Sequence, residues 1–167
     1  MAARNGRRGQ AAFEFALMYG LVIVPLIFGL IFVAQAYWVW HSIVEFTRDG
    51  ARYAATHCWV GPSGPNVTQY MQTHVPPNID EAQFQSGGAA QINVDYFAHD
   101  TGSGELVPFG CAVSCDPSCA PDAVTVSVTG YQFQHYVSLL MSVTMPPFPA
   151  SQAMGNTGCD QTGACTP

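Results

Sequence analysis

FALMYGLVIVPLIFGLIFVAQAYWVWHSIV, from Phe15 to Val44, decides the fold, because none of its thirty residues is Asp, Glu, Lys or Arg. About 20 apolar residues at 1.5 Å rise are enough to cross the hydrocarbon core of a bilayer. The run therefore reads as one transmembrane helix, its span covering about residues 15–40. A buried core helix this long and apolar would need more protein around it than the rest of the chain supplies. Tyr37, Trp38 and Trp40, with His41 beside them, stand where an aromatic belt meets the membrane interface. Pro25 and Gly29 fall mid-span, where a proline removes one backbone bond that local adjustment can replace.

On either side of this run the charges are segregated. The only basic side chains are Arg4, Arg7, Arg8, Arg48 and Arg52, and eight of the eleven carboxylates lie beyond residue 56. Basic residues before the span and acidic ones after it predict a cytoplasmic N-terminus and an exported C-terminal part, in the inner (cytoplasmic) membrane. Charged residues make up 10% of the chain, against roughly 25% in ordinary soluble domains. A net charge of −6 without a single lysine leaves no footprint for a phosphate backbone, which excludes nucleic acid as a partner. A length of 167 residues allows one modest domain and one additional element, not a large catalytic core.

A cleaved secretory signal is the rival to a permanent anchor, with Ala34-Gln35-Ala36 as its cleavage site. Against it, the apolar run Phe15–Val33 has 19 residues, where a signal core has about 7 to 15. The helical pattern also continues past that site through SIVEFTRDGARYAA (Ser42–Ala55), with Glu45 and Arg48, and Asp49 and Arg52, three apart on one face. The expectation is a single helix over 10–55, about 65–70 Å long at 1.5 Å per residue. Some 40 Å of it covers the whole bilayer, leaving several turns beyond. Gly50 with Ala54, and Ala51 with Ala55, place small residues four apart, which admits a close neighbour or reflects helix propensity alone.

Residues 56–167 contain 11 glycines and 11 prolines, predicting short elements and many loops. Asn66, with Gln69 three residues on, reads as a helix cap, and Val67, Tyr70, Met71, His74 and Val75 follow one stripe until Pro76 and Pro77. The sequon Asn66-Val67-Thr68 is read as that same cap. Ile92, Val94 and Tyr96 alternate, as do Val124, Val126 and Val128, with the period of half-buried strands. A third apolar run, Tyr131–Met145, is expected to pair after a turn at Thr129-Gly130. The fold class is α+β: a long transmembrane helix extending into a small exported domain of helix and antiparallel sheet. Three segments result: a basic leader over 1–9, the long helix over 10–55 and the acidic, cysteine-rich domain over 56–167.

Six cysteines, Cys58, Cys111, Cys115, Cys119, Cys159 and Cys165, read as a disulfide framework outside the cytoplasm, with 15 possible pairings. Zinc is the rival, since Cys111, Cys115 and Cys119 are spaced for one helical face. Gly110, Pro117 and Pro121 argue against a helix there, and no histidine is near in sequence. The five histidines are scattered, His135 included, and no nucleophile elbow, HExxH motif or phosphate loop is present. Nor are the carboxylates spaced like a calcium loop. No enzyme activity, metal, cofactor or small-molecule substrate is expected.

Glu14 stands at the edge of the apolar span, where a carboxylate is costly and marks a functional position. Its setting, Arg7-Arg8-Gly9-Gln10-Ala11-Ala12-Phe13-Glu14-Phe15, resembles a prepilin. That resemblance implies a prepilin peptidase that cuts after Gly9, leaving Gln10 first and Glu14 fifth. Glycine offers an extended, unhindered backbone to such a peptidase, and a carboxylate in low dielectric can pair with the freed amino group of a neighbouring subunit. Phe13-Glu14-Phe15-Ala16-Leu17, the span, and then Thr47-Arg48-Asp49-Gly50-Ala51-Arg52-Tyr53-Ala54 resemble the TadE-like family of tight-adherence pilus assembly, whose members read "EFAL", a span, then "REGARYA". Asp49 replaces the usual Glu, and Gly20 stands where many members have proline. The resemblance covers residues 6–56 and implies a minor pilin-like protein (pseudopilin) that helps initiate or assemble a type IV pilus for adhesion. Its partners would be the peptidase, the lipid bilayer and other pilus subunits and minor pilins, with Glu14, Arg48, Asp49, Gly50 and Arg52 serving assembly. A tethered or secreted disulfide-rich binding module unrelated to pili is the alternative. An exported surface with no cation beyond Arg52 would repel its own copies, favouring hetero-assembly with a basic partner.

Overall fold

The structure, a computed structural model, describes residues 6–59, 65–111, 116, 119–133 and 142–155. The chain divides into two compact units, Met1–Trp38 and Val39–Pro167.

In the first unit α1 (Gly6–Met18) runs through a π-helical turn (Tyr19–Ile23) into α2 (Val24–Thr56) without interruption. The π-turn answers Pro25. The proline has no N–H to offer the Leu21 carbonyl, and its ring crowds that turn. Just ahead of it the Val24 N–H bonds to the Tyr19 carbonyl, five residues back, so the ladder slips by one residue instead of breaking. Because α1 begins at Gly6, Gly9 is helical here, and an extended backbone at that position requires the first turns to unwind. A glycine inside a helix makes that unwinding easier by about 1 kcal/mol relative to alanine.

The second unit contains α2 from Val39 onward. Ile43, Phe46, Thr47, Gly50, Ala51, Ala54 and Ala55 are buried, three and four apart, which is the single stripe an amphipathic helix turns to a core. Helix α3 (Pro65–Thr73) begins one residue before the expected Asn66 cap, with proline at its first position, where a missing N–H costs nothing. Met71 of α3 is fully buried over Gly50. Any Cβ at position 50 would overlap the Met71 thioether. The small residues of α2 thus let α3 approach within this chain's own fold.

The two helix ends share a pentapeptide: Tyr53-Ala-Ala-Thr-His57 closes α2 and Tyr70-Met-Gln-Thr-His74 closes α3. In each, the histidine Nδ1 lies 2.9 Å from the tyrosine carbonyl four residues back, a carbonyl of the last turn that also accepts from the threonine hydroxyl between them. The four rings form one column, with centroids 3.7 Å apart for His57 on Tyr53, 3.9 Å for Tyr53 on Tyr70 and 4.3 Å for Tyr70 on His74.

Four antiparallel strands follow in the order β2-β1-β3-β6, where β1 is Gln91–His99, β2 Leu106–Pro108, β3 Ala123–Thr129 and β6 Phe148–Ala153. Val94 lies opposite Val126 and Tyr96 opposite Val124, while Val128 lies opposite both Ile92 and Phe148. The alternation read from β1 and β3 is therefore the buried face of the sheet.

The third apolar run departs from expectation. Its described ends, β4 (Gln132–Phe133) and β5 (Val143–Thr144), pair with each other and not with the main sheet; His135 lies outside the described residues. Two features divert the chain. Gly130 has φ +75° and passes so close to the Ala89 carbonyl that a Cβ would strike it. Beyond it, the buried Gln83 amide donates to the Gln132 carbonyl and accepts from its N–H, both at 2.8 Å, doing for β4 what a neighbouring strand would do.

Candidate functional site

At the start of the first unit the Gln10 side chain donates to Glu14 Oε1 at 3.2 Å, one turn along α1. The Phe15 ring stacks toward Tyr19, 6.3 Å away. Gly9, Gln10, Glu14 and Phe15 are all exposed, as are Leu21, Leu26, Phe28, Leu30 and Val33 beyond them. The most apolar 18-residue window of the Gly9–Thr56 helix has a mean hydropathy of 2.6, and 0% of it is buried within the protein. One helix among the described residues is thus long and apolar enough to cross a membrane, and it carries Glu14 near one end. Of the expected aromatic belt, Tyr37, Trp38 and Trp40 are all exposed, and Trp40 also sets its ring edge-on to Phe148 at 4.8 Å.

In the second unit Arg48 pairs with Glu45 at 2.7 Å and Arg52 with Asp49 at 3.5 Å, all four side chains exposed. Gly50, between them in sequence, is buried against Met71. The stripe Trp40, Val44, Arg48 and Arg52 lines one wall of a groove of about 490 Å³, whose other wall is β6. Sequence reasoning missed this groove, since nothing in Phe-Pro-Ala-Ser-Gln-Ala marks an edge strand.

Cys111 and Cys119 form a disulfide with Cα atoms 6.4 Å apart, which removes two thiols from any zinc set. Cys58 is buried and disulfide-bonded as well; Cys115, Cys159 and Cys165 lie outside the described residues. Trp59 donates its indole N–H to the Cys119 carbonyl at 3.1 Å and meets Phe109 edge-on at 4.8 Å, tying the bridged loop to the end of α2. Across the β1–β3 end, the Asp122 carboxylate accepts from the His99 N–H at 2.7 Å and sits 3.3 Å from the His99 ring. Chiefly that backbone bond, then the ring, holds its pKa below the usual carboxylate value. Asp100 is lowered likewise, first by the Ser103 hydroxyl and then by backbone N–H groups of the same turn.

The class these features define is a small α+β body carried on one helix of membrane-crossing length. Residues 9–52 match the TadE-like protein family, and a Tad pilus-associated protein is what that match supports. No curated protein and no solved structure matches the chain.

Proposed function

We propose that this protein is a minor pilin-like component that helps initiate or assemble a tight-adherence type IV pilus. It is anchored in the inner membrane by its single span, N-terminus inside, and a prepilin peptidase removes residues 1–9. The observation that carries the reading is the family match over 9–52, which starts at Gly9, includes Glu14 and ends at Arg52 along one continuous helix. Once Gln10 is the first residue, its new amino group lies in the same turn as the Gln10–Glu14 contact. Glu14 then receives the amino group of a neighbouring subunit. Arg48, Asp49 and Arg52, exposed on α2, supply contacts between the subunits of the assembly.

Glu14→Gln tests the pairing. Removing one partner of a desolvated ion pair costs about 3–5 kcal/mol, so the variant should be processed normally yet co-purify with other pilus subunits at a much lower level. Unchanged co-purification would reject the role given to Glu14.

A further inference from the structure

The two edges of the sheet are complementary to each other. Along β6 the Met154 N–H bonds to the Asp122 carbonyl, and in an antiparallel pair such bonds alternate. Phe148, Ala150 and Gln152 therefore direct their backbone groups to β3, and Ser151 and Ala153 direct theirs to the edge that no described strand covers. Pro149, which has no N–H to waste, also falls at an outward position. The groove between this edge and α2 is apolar at the Trp40 and Val44 end and bears Arg48 and Arg52 at the other. These two arginines are the only basic side chains in the second unit. The charge of this body is consequently not uniform, as counting from residue 56 suggested, but has its cations gathered on one edge.

At the opposite edge β2 is short, and no strand among the described residues pairs with its outer side. Ala98 lies opposite Val107, so Val107, and Glu105 two residues before it, face the same side of the sheet as Val94 and Tyr96. Phe148 belongs to that same side and touches Trp40 of α2. Leu106 and Val107 are 52% and 39% exposed, and Asp100 sits beside Glu105 in the hairpin, its N–H bonded to the Glu105 carbonyl. One edge thus presents a carboxylate and an apolar side chain two residues apart, and the other a groove with guanidinium groups and an apolar end.

We propose that a second copy of this chain docks its β2 edge against β6, laying Val107 and Glu105 into the groove beside α2. Direction and register both fit. β1 runs antiparallel to β2 and to β3, and β3 antiparallel to β6. β2 is therefore antiparallel to β6, and copies in the same orientation meet as an antiparallel pair. With Leu106 opposite Ser151 the two exchange both backbone bonds, Val107 lies beside Ala150 and Glu105 beside Gln152, toward Arg48 and Arg52. Pro108 and Pro149 then face each other and end the ladder without an orphaned N–H. The exposed Glu45 and Asp49 pairs of these arginines are weak enough to share with an incoming carboxylate. Such a contact uses different surfaces on its two members, so it propagates head to tail instead of closing into a dimer. It does not depend on processing at Gly9 or on the pilus reading.

The test is sedimentation of the full-length, oxidised protein in detergent micelles, over a range of concentration and salt. Wild type should associate beyond a dimer, less so as salt rises. Glu105→Arg, and separately the pair Arg48→Glu with Arg52→Glu, should each weaken association at least tenfold, and an equimolar mixture of the two should regain it, because when the two variants alternate every contact again brings opposite charges together, one contact as in wild type and the next with its charges exchanged. Val107→Arg, at a site exposed in the free protein, should weaken association equally without touching an ion pair. Association through the membrane helix alone would be indifferent to all of these changes, and that result would overturn the proposal. So would a mixture that does not recover, or wild type that stays monomeric while the arginine variants lose a co-purifying pilus subunit, which would assign the groove to that subunit.

Discussion

Gly50 and Asp122 illustrate how single residues position this body. At Gly50 the helix forgoes the propensity of alanine, about 1 kcal/mol, so that the buried Met71 can lie against its backbone. At Asp122 an exposed carboxylate closes the end of the β1–β3 pair by accepting from His99. Its pKa in the folded protein is lowered, below the unfolded value of about 3.9. A depressed carboxylate stabilises the fold at every pH above the unfolded value, and that stabilisation is lost as pH falls through the folded value. Asp122→Asn should therefore lower stability at neutral pH and flatten the acid limb of the stability curve below about pH 4. Thermal melts of both proteins between neutral and acid pH check this; an acid limb of unchanged slope would remove Asp122 from the account.

Among elements, the joint between α2 and α3 is the most specific, since each helix ends in Tyr-x-x-Thr-His and the four rings stack. Stacked aromatic pairs contribute about 0.5–1.5 kcal/mol beyond the area they bury. A double-mutant cycle of Tyr53→Leu and Tyr70→Leu should return a coupling of about that size, read from unfolding midpoints; strictly additive losses would mean that the column forms without stabilising anything. The long helix was legible because thirty uncharged residues admit few other readings, and β1 and β3 because alternation exposes the face each one buries. The edge strands were not legible. β2 has three residues, and β6 carries a proline and lacks β-branched side chains, so both owe their conformation to pairing with a neighbour and not to local preference. The run from Tyr131 was misread because periodicity cannot register a competing partner, here the Gln83 side chain. For the candidate site, the Glu14 and Arg48–Arg52 segments stood out in sequence, whereas the groove beside β6 needs a strand from nearly a hundred residues further on.

For the molecule as a whole, the second half of α2 is the centre of the globular unit and carries that unit's only arginines, while the first half is apolar and uncovered by protein. The Cys111–Cys119 bridge and the bonded Cys58 reinforce a thin core, a bridge of this span contributing about 2–3 kcal/mol in the chain-entropy account. Everything proposed for Glu14 depends on the amino group that cleavage between Gly9 and Gln10 creates. Sequencing the N-terminus of the protein extracted from its own membrane tests this most directly: a chain beginning at Gln10 is expected, and one beginning at Met1, or at Tyr37 after loss of the apolar helix, would rule out the pairing proposed for Glu14.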